Sequence, residues 1–489
     1  MSHITVTAPA SGEIISEVPI FTTDQVTDAF DRSRRAQKKW AASPVSERRE
    51  ILLRYHDLVL ERQDELLDVI QKESGKSRIS AHEEILDNAI TARHYANRAA
   101  ALLRPKRAKA TLPVLTTTHV EHAPIGAVGM ISPWNYPLVL AISDAIAAIM
   151  AGNTVVLKPD SNTPLTALKA AELLTEAGLP DDVFQVTPGP GSQVGQAIAE
   201  QCDFLMFTGS TATGRKLAAI AGERLIGFSA ELGGKNPLIV APDADIARAA
   251  RGAIRACFSN SGQLCISIER IYVHRDVADQ FTREFVDNVK AMRVGPGNDW
   301  ALDMGSLISA EHHETVSEFV EDAKAQGARV LTGGESLGGN FYAPTVLTDV
   351  PPTARVYREE VFGPVVYIQV VDSLDEAVEQ ANDTDYGLNA SIWATPSTGR
   401  ALASRIEAGT VNVNDGYMAA WASMHAPMGG WKTSGVGRRH SDHGLLKFTE
   451  ARTVAVQRFM PPTGPEWMDR KQFAGLAAGA FKVAKRILP

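Results

Sequence analysis

With 489 residues, 44% of them hydrophobic and 22% charged, the chain has the composition of an ordinary soluble globular protein and the length for two or three domains. A formal net charge of −8 leaves no basic footprint, so nucleic acid is not an expected partner. Cys202, Cys257 and Cys265 are too few for a disulfide framework or a metal cluster; with no secretory leader and no run of ~20 apolar residues, they predict a cytoplasmic protein.

From about residue 24 to 103, the spacing of Val26, Phe30, Leu52, Leu53, Leu58, Leu60, Leu66 and Val69 predicts helices with apolar faces. The Thr-rich stretch from Lys106 to Val120 favours extended structure and reads as an arm or hairpin of the kind that pairs with another subunit. Between Gly126 and Val240 the short apolar segments GAVGMIS, NTVVLKP, VFQVTPG, DFLMFTG, LIGFSAEL and NPLIVAP alternate with helical stretches, which predicts a doubly wound parallel sheet. Thr163 followed by Pro164 has the form of a helix N-cap and first helical position. A second series from about Asp243 to Val413, with RIYVHR, TVLTDV, PVVYIQV, LNASIWA and GTVNVN, predicts a second α/β domain.

Beyond Pro461 the linker PPTGPEW leads into a helical tail. Phe473, Leu476, Phe481, Val483, Ile487 and Leu488 give it an apolar side, and Lys482, Lys485 and Arg486 give it charge. Docking on its own or a neighbouring subunit is the expected role; the basic residues leave a membrane surface open as the alternative.

The stretch FSNSGQLC places Cys265 after a Gly-Gln turn, downstream of ELGGK at Glu231 to Lys235. A thiolate is a strong nucleophile and a carboxylate can activate water, so together they suggest covalent catalysis. A free cysteine is otherwise usually an inert buried thiol, and Asn135 or Glu231 could serve merely as local caps. The turn Gly209-Ser210-Thr211, after the segment DFLMF, can feed a helix whose N-terminus receives phosphate, although a lone Gly-Ser turn is more often only a turn.

These segments, with ISPWNYP at Ile131 to Pro137, VVLKP ending at Pro159, FTGSTATG at Phe207 to Gly214, EEVFGP at Glu359 to Pro364 and SGVGRR at Ser434 to Arg439, resemble the aldehyde dehydrogenase superfamily over nearly the whole chain. The resemblance implies two doubly wound α/β domains plus a β oligomerisation arm. Residues 1–105 and 124–232 would form the dinucleotide-binding domain, 233–444 the catalytic domain, 106–123 and 445–460 the arm, and 461–489 the tail. A homodimer or homotetramer is implied. Cys265 would attack the aldehyde carbon, Asn135 and the Cys265 N–H would steady the oxyanion, and hydride would pass to nicotinamide; Glu231 would then activate the water that hydrolyses the thioester.

By the same resemblance, Ser132, Pro133, Trp134, Lys158, Ser161, Gly191, Phe207, Gly209, Ser210, Thr213, Leu232, Glu360 and Phe362 would bind the cofactor, the last two at the nicotinamide ribose and ring. Ser161 stands where NAD-preferring relatives commonly carry a glutamate. Serine can donate to a 2′-phosphate that Lys158 can neutralise, so NADP preference is expected, with NAD possible; Asp160 would weaken it by turning inward.

The segments LKPDS, FSAELGGKNP, CFSNSGQLCISIERIYV, DMGSLIS and APMGG resemble bacterial NADP-linked succinate-semialdehyde dehydrogenases. Two positions where an arginine can meet the substrate carboxylate are here Ser143 and Ser259. The other implied pocket residues are Tyr136, Leu140, Leu264, Ile266, Trp421, Ser423 and Met428. Their hydroxyls could hold a small carboxylate, or the apolar wall could take an uncharged aliphatic or aromatic aldehyde. Glu231 disfavours transfer of the acyl group to coenzyme A; the joint presence of Asn135, Glu231 and Cys265 disfavours a non-catalytic relative of the fold.

Overall fold

The computed structural model describes residues 2–110, 116–458 and 463–485. After a hairpin of β1 (His3–Thr7) and β2 (Ile14–Pro19) come four helices: α1 (Thr23–Ala42), α2 (Val45–Glu61), α3 (Gln63–Ser74) and α4 (Arg78–Leu103). A reciprocal cap opens α1, with the Thr22 hydroxyl accepting from the Gln25 N–H and the Gln25 side chain accepting from the Thr22 N–H. Val26, Phe30, Leu52 and Leu66 point into the core as expected; Leu60 does not and is exposed.

The arm forms from β3 (Lys106–Ala108) and β4 (Thr116–Pro124), with Thr449–Gln457 paired antiparallel along the whole length of β4. Part of the Thr-rich stretch, 111–115, lies outside the described residues. The strands β5 (Ala127–Ile131), β6 (Thr154–Lys158), β7 (Phe184–Val186), β8 (Phe204–Thr208) and β9 (Gly227–Glu231) are parallel. Their spatial order, with Gly435–Val436 antiparallel at the edge, is Gly435–Val436, β9, β8, β5, β6, β7. The chain leaves β5 toward β7, then returns to β8 on the other side. Crossovers therefore diverge between β5 and β8, which opens a crevice at the carboxyl ends of those two strands.

NPLIVAP belongs elsewhere than its place in the first alternating series suggested. As β10 (Asn236–Val240) it sits inside a second sheet, between β11 (Ile268–His274) and Asn389–Trp393. A five-residue apolar run reads the same in either sheet, and only Gly233 and Gly234 mark the crossing between them. This sheet has seven strands in the order Arg329–Thr332, Thr345–Thr348, Val365–Val371, β11, β10, Asn389–Trp393 and Thr410–Val413. Only its first strand runs antiparallel to its neighbour.

Two helices that pack on the first sheet, α5 (Pro137–Met150) and α6 (Pro164–Glu176), are capped from a distance. Thr163 holds the N-cap position of α6, but its buried hydroxyl makes no capping bond. Glu73 of α3 substitues for it, accepting from the N–H groups of Leu165 and Thr166 at 2.8 Å each. The tail forms a helix, Arg470–Ala484, with no buried residue, so it does not dock on its own subunit as one reading expected; Leu476 and Val483 are exposed. Arg486, Ile487 and Leu488 lie outside the described residues. Among those residues no helix is long and apolar enough to cross a membrane.

Candidate active site

Cys265 lies in a turn between α-helical Ile246–Phe258 and β11, and the sequence before it builds an unusual backbone. Asn260, Ser261 and Gly262 are all left-handed, with φ of 50°, 58° and 71°. Such a conformation costs non-glycine residues about 1–3 kcal/mol each and persists only where neighbours enforce it. Here the Asn260 N–H donates to the Ser80 hydroxyl at 3.1 Å, and the Asn260 amide donates to the Asn135 carbonyl at 2.8 Å. The Ser261 hydroxyl donates to the Gly305 carbonyl, while the Gln263 amide oxygen accepts from the Ile308 N–H. Gly262 is required by space as well as by φ, since a Cβ would lie 2.1 Å from the Gly363 carbonyl oxygen.

Asn135 is fixed by a buried ion pair that no motif announced. The Lys76 ammonium, with no exposure, donates to Glu84 at 2.6 Å and to the Asn135 carbonyl at 2.7 Å. Glu84 also accepts from the Leu138 and Val139 N–H groups at the start of α5. One Asn135 amide hydrogen is committed to the Gln263 carbonyl at 3.0 Å. Its second donor remains to serve the space beside Cys265.

Glu231 ends β9 and is buried, with Oε1 free of any hydrogen-bond partner among the described residues. Burial pushes its pKa up to about 7, against the pull of Arg439, Lys447 and Arg438. Glu360 accepts from the Gly234 N–H at 2.8 Å and is likewise pushed by burial, to about 8. Burial first, then the charges of Glu360 and Glu231, raise the Cys265 thiol to about 12. The resting sulfur is therefore protonated at neutral pH, and reaction requires a nearby acceptor for its proton.

Two cavities meet at Cys265. One, of about 720 Å³, runs from the carboxyl ends of β5 and β8 and is lined by Pro133, Trp134, Gly209, Ser210, Glu231, Leu232, Glu360 and Phe362. The Ser210 hydroxyl caps the helix Thr211–Glu223 by accepting from the Thr213 N–H, which turns that helix N-terminus toward this cleft. Ser132, Lys158, Ser161, Gly191, Phe207 and Thr213 do not line the space beside the thiol. Lys158 ends β6, the Ser132 N–H bonds its carbonyl, and the Ser161 hydroxyl donates to the Gly189 carbonyl at 3.4 Å. The Phe207 ring packs against Gly209, where a Cβ would approach it to 2.5 Å. No Cβ contact within 4 Å constrains Gly191. Asp160 accepts from the Asn162 backbone and side-chain amides, and its charge still acts on Lys158.

The second cavity, of about 530 Å³, is lined by Tyr136, Leu140, Leu264, Ile266, Trp421 and Met428, as the sequence implied. Ser143, Ser259 and Ser423 are not in its wall. The Ser143 hydroxyl is taken by Asp87, that of Ser259 accepts from Tyr417 at 2.8 Å, and Ser423 is exposed, donating back to Ala419. In their place the cavity shows Glu83, Asp87, Tyr417, Arg439 and His440. Glu83 and Asp87 stand four apart on α4, one helix face. The available signal was their presence in a helix with buried residues all round, where acids need partners.

The aldehyde dehydrogenase family model matches residues 1–454. The chain belongs to the aldehyde dehydrogenase family. A protein of Mycolicibacterium smegmatis, provisionally named succinate-semialdehyde dehydrogenase [NADP(+)], is 56% identical over 93% of this chain and 89% of its own length. Among solved structures, an NADP-dependent enzyme of E. coli matches with a TM-score of 0.90 and 35% identity, covering 94% of this chain and 95% of its own. An NAD-dependent aldehyde dehydrogenase from Sinorhizobium meliloti matches with a TM-score of 0.91 and 35% identity, covering 96% and 93%. This aldehyde dehydrogenase is thus an oxidoreductase with Rossmann-like parallel sheets. Replacing Lys76 by Met would leave Glu84 a buried, unpaired charge, so a loss of about 3–5 kcal/mol in denaturant unfolding is expected. An unchanged unfolding midpoint would show that the pair holds nothing.

Proposed function

We propose that this aldehyde dehydrogenase oxidises succinate semialdehyde to succinate with NADP. The observation that carries the reading is the meeting of two cavities at one thiol, one of them shaped for a dinucleotide. The relatives' names supply the substrate and cofactor. For NADP the residues fit: Gly209 and the capped helix N-terminus suit the pyrophosphate, and Lys158 is a buried ammonium without a carboxylate within 4 Å among the described residues. Lys158 and Ser161 would hold the 2′-phosphate, and Glu360 and Phe362 the nicotinamide end. Bound there, the nicotinamide would supply the hydride acceptor.

The protein's own residues do the rest. Glu231, with its pKa near neutrality, accepts the thiol proton as sulfur attacks the aldehyde carbon and gives it up to solvent before the thioester is hydrolysed. The second Asn135 amide hydrogen and the Cys265 N–H meet the oxyanion of the thiohemiacetal. Once the thioester has formed, the unpartnered Oε1 of Glu231 takes a proton from water, whose oxygen attacks the acyl carbon and frees succinate and the thiol. The arm supports a homodimer or homotetramer. Thr449–Gln457 forms a nine-residue, largely exposed edge strand, a template for pairing with another copy.

Cys265→Ala should abolish cofactor reduction, whereas Glu231→Gln should slow the first equivalent without abolishing it and lose about 10²–10⁴-fold in steady turnover. Because Glu231 acts as a base only when ionised, deacylation-limited turnover should fall as pH drops below about 7 and level off above it. Full steady turnover in the glutamine variant removes Glu231 from this role. Ser161→Glu would set a carboxylate against the 2′-phosphate, so kcat/KM for NADP should fall about tenfold or more relative to NAD; an unchanged ratio counts against NADP recognition at this position. Light scattering should give two or four times the chain mass, and a monomer would refute the pairing of the arm.

A further inference from the structure

Arg439 is the one permanent cation among the described residues that line the substrate cavity. We infer that its guanidinium receives the carboxylate of succinate semialdehyde, the task that Ser143 and Ser259 do not perform; the inference rests on the substrate reading above.

The backbone fixes the arginine firmly. Arg439 exchanges two backbone hydrogen bonds with Met428, itself a cavity residue, at 2.6 and 3.0 Å. His440 and Ser441 follow it with left-handed φ of 57° and 50°, and the Ser441 N–H is tied to the Met424 carbonyl at 2.7 Å. Two successive non-glycine residues in that region mark a conformation imposed by the surroundings. It turns the chain sharply away after Arg439 and leaves the side chain at the cavity.

Arg439 keeps donors to spare for an incoming anion, with Asp144, Glu231 and Asp87 the carboxylates near enough to act on it. Asp144 takes Arg439 Nη2 at 2.8 Å, but it also takes the Lys447 ammonium at 2.9 Å. One carboxylate thus serves two cations, and the guanidinium has five donors of which Asp144 engages one group. Glu83 does not compete: its oxygens receive Arg255 and the Tyr136 hydroxyl. Asp87 is bonded by the Ser143 hydroxyl, and burial pushes it up to about 6, still below neutrality, so the guanidinium has to outweigh its repulsion of a second carboxylate. His440 is buried and held neutral, so it adds no charge of its own.

The substrate is short. In an extended four-carbon semialdehyde the two terminal carbons lie about 4 Å apart, from ordinary C–C bond lengths. Arg439 and Cys265 line the same cavity, and the arginine is near enough to draw the thiol pKa downward. A carboxylate accepted by the guanidinium would keep the aldehyde within the cavity that Cys265 also lines.

Steady-state kinetics with succinate semialdehyde and with butanal, the same four carbons without the charge, provides the test in wild type, Arg439→Met and Arg439→Lys. The methionine variant should lose about tenfold or more of the wild-type preference for succinate semialdehyde, chiefly through KM, as for a lost charge-assisted hydrogen bond. Lysine should restore part of that preference. Butanal turnover in the same preparations reports that the variants are folded. If both aldehydes suffer equally in Arg439→Met and Arg439→Lys, the arginine acts through Glu231 or the fold and the assignment is overturned. If wild type itself shows no preference for the charged aldehyde, the substrate reading fails first and takes this assignment with it.

Discussion

The geometry around the thiol depends on a lysine and a glutamate that never touch it. Lys76 and Glu84 are both removed from water, which would be strongly unfavourable for either alone. Paired, they hold three backbone groups: the Asn135 carbonyl and the first N–H donors of α5. The Asn260 amide reaches the same carbonyl from the other domain. A single peptide oxygen thereby joins the turn that carries Asn135 to the strained turn that leads to Cys265. The relative placement of amide and sulfur is set by these hydrogen bonds across the two sheets.

Around that frame the carboxylates are arranged with unequal support. Glu269 is bonded to Lys235 and to the N–H groups of Val361 and Phe362, and its task is to hold the loop bearing Glu360. Glu231 has positive charges near it but no hydrogen bond at Oε1. The difference follows from use: a carboxylate saturated with donors is a poor base, whereas one left partly unsatisfied can take a proton from thiol or water.

Much of the fold was legible in the sequence because strand and helix patterns survive burial. Every strand segment named between Gly126 and Val413 forms a strand. What periodicity could not supply was membership: NPLIVAP has the same apolar run whichever sheet it joins. Capping failed at Thr163 for a related reason, since its replacement, Glu73, lies 90 positions away in the chain. At the site, Cys265, Glu231 and Asn135 were marked by motifs and do converge on one region. Lys76, Glu84 and Arg439 were not singled out, because a buried charge is recognised by its partners, and those partners come from distant segments. The serines at 143 and 259 illustrate the converse: residue type suggested contact with substrate, whereas neighbouring Asp87 and Tyr417 claim their hydroxyls.

The two cavities meet at the sulfur and share only Asn135, Leu140 and Cys265 among the residues that line them. On the proposed reading, a spent dinucleotide would leave one lining while the acyl chain is still held in the other. Water can likewise reach the tethered carbon from the side the dinucleotide has vacated, where Glu231 stands.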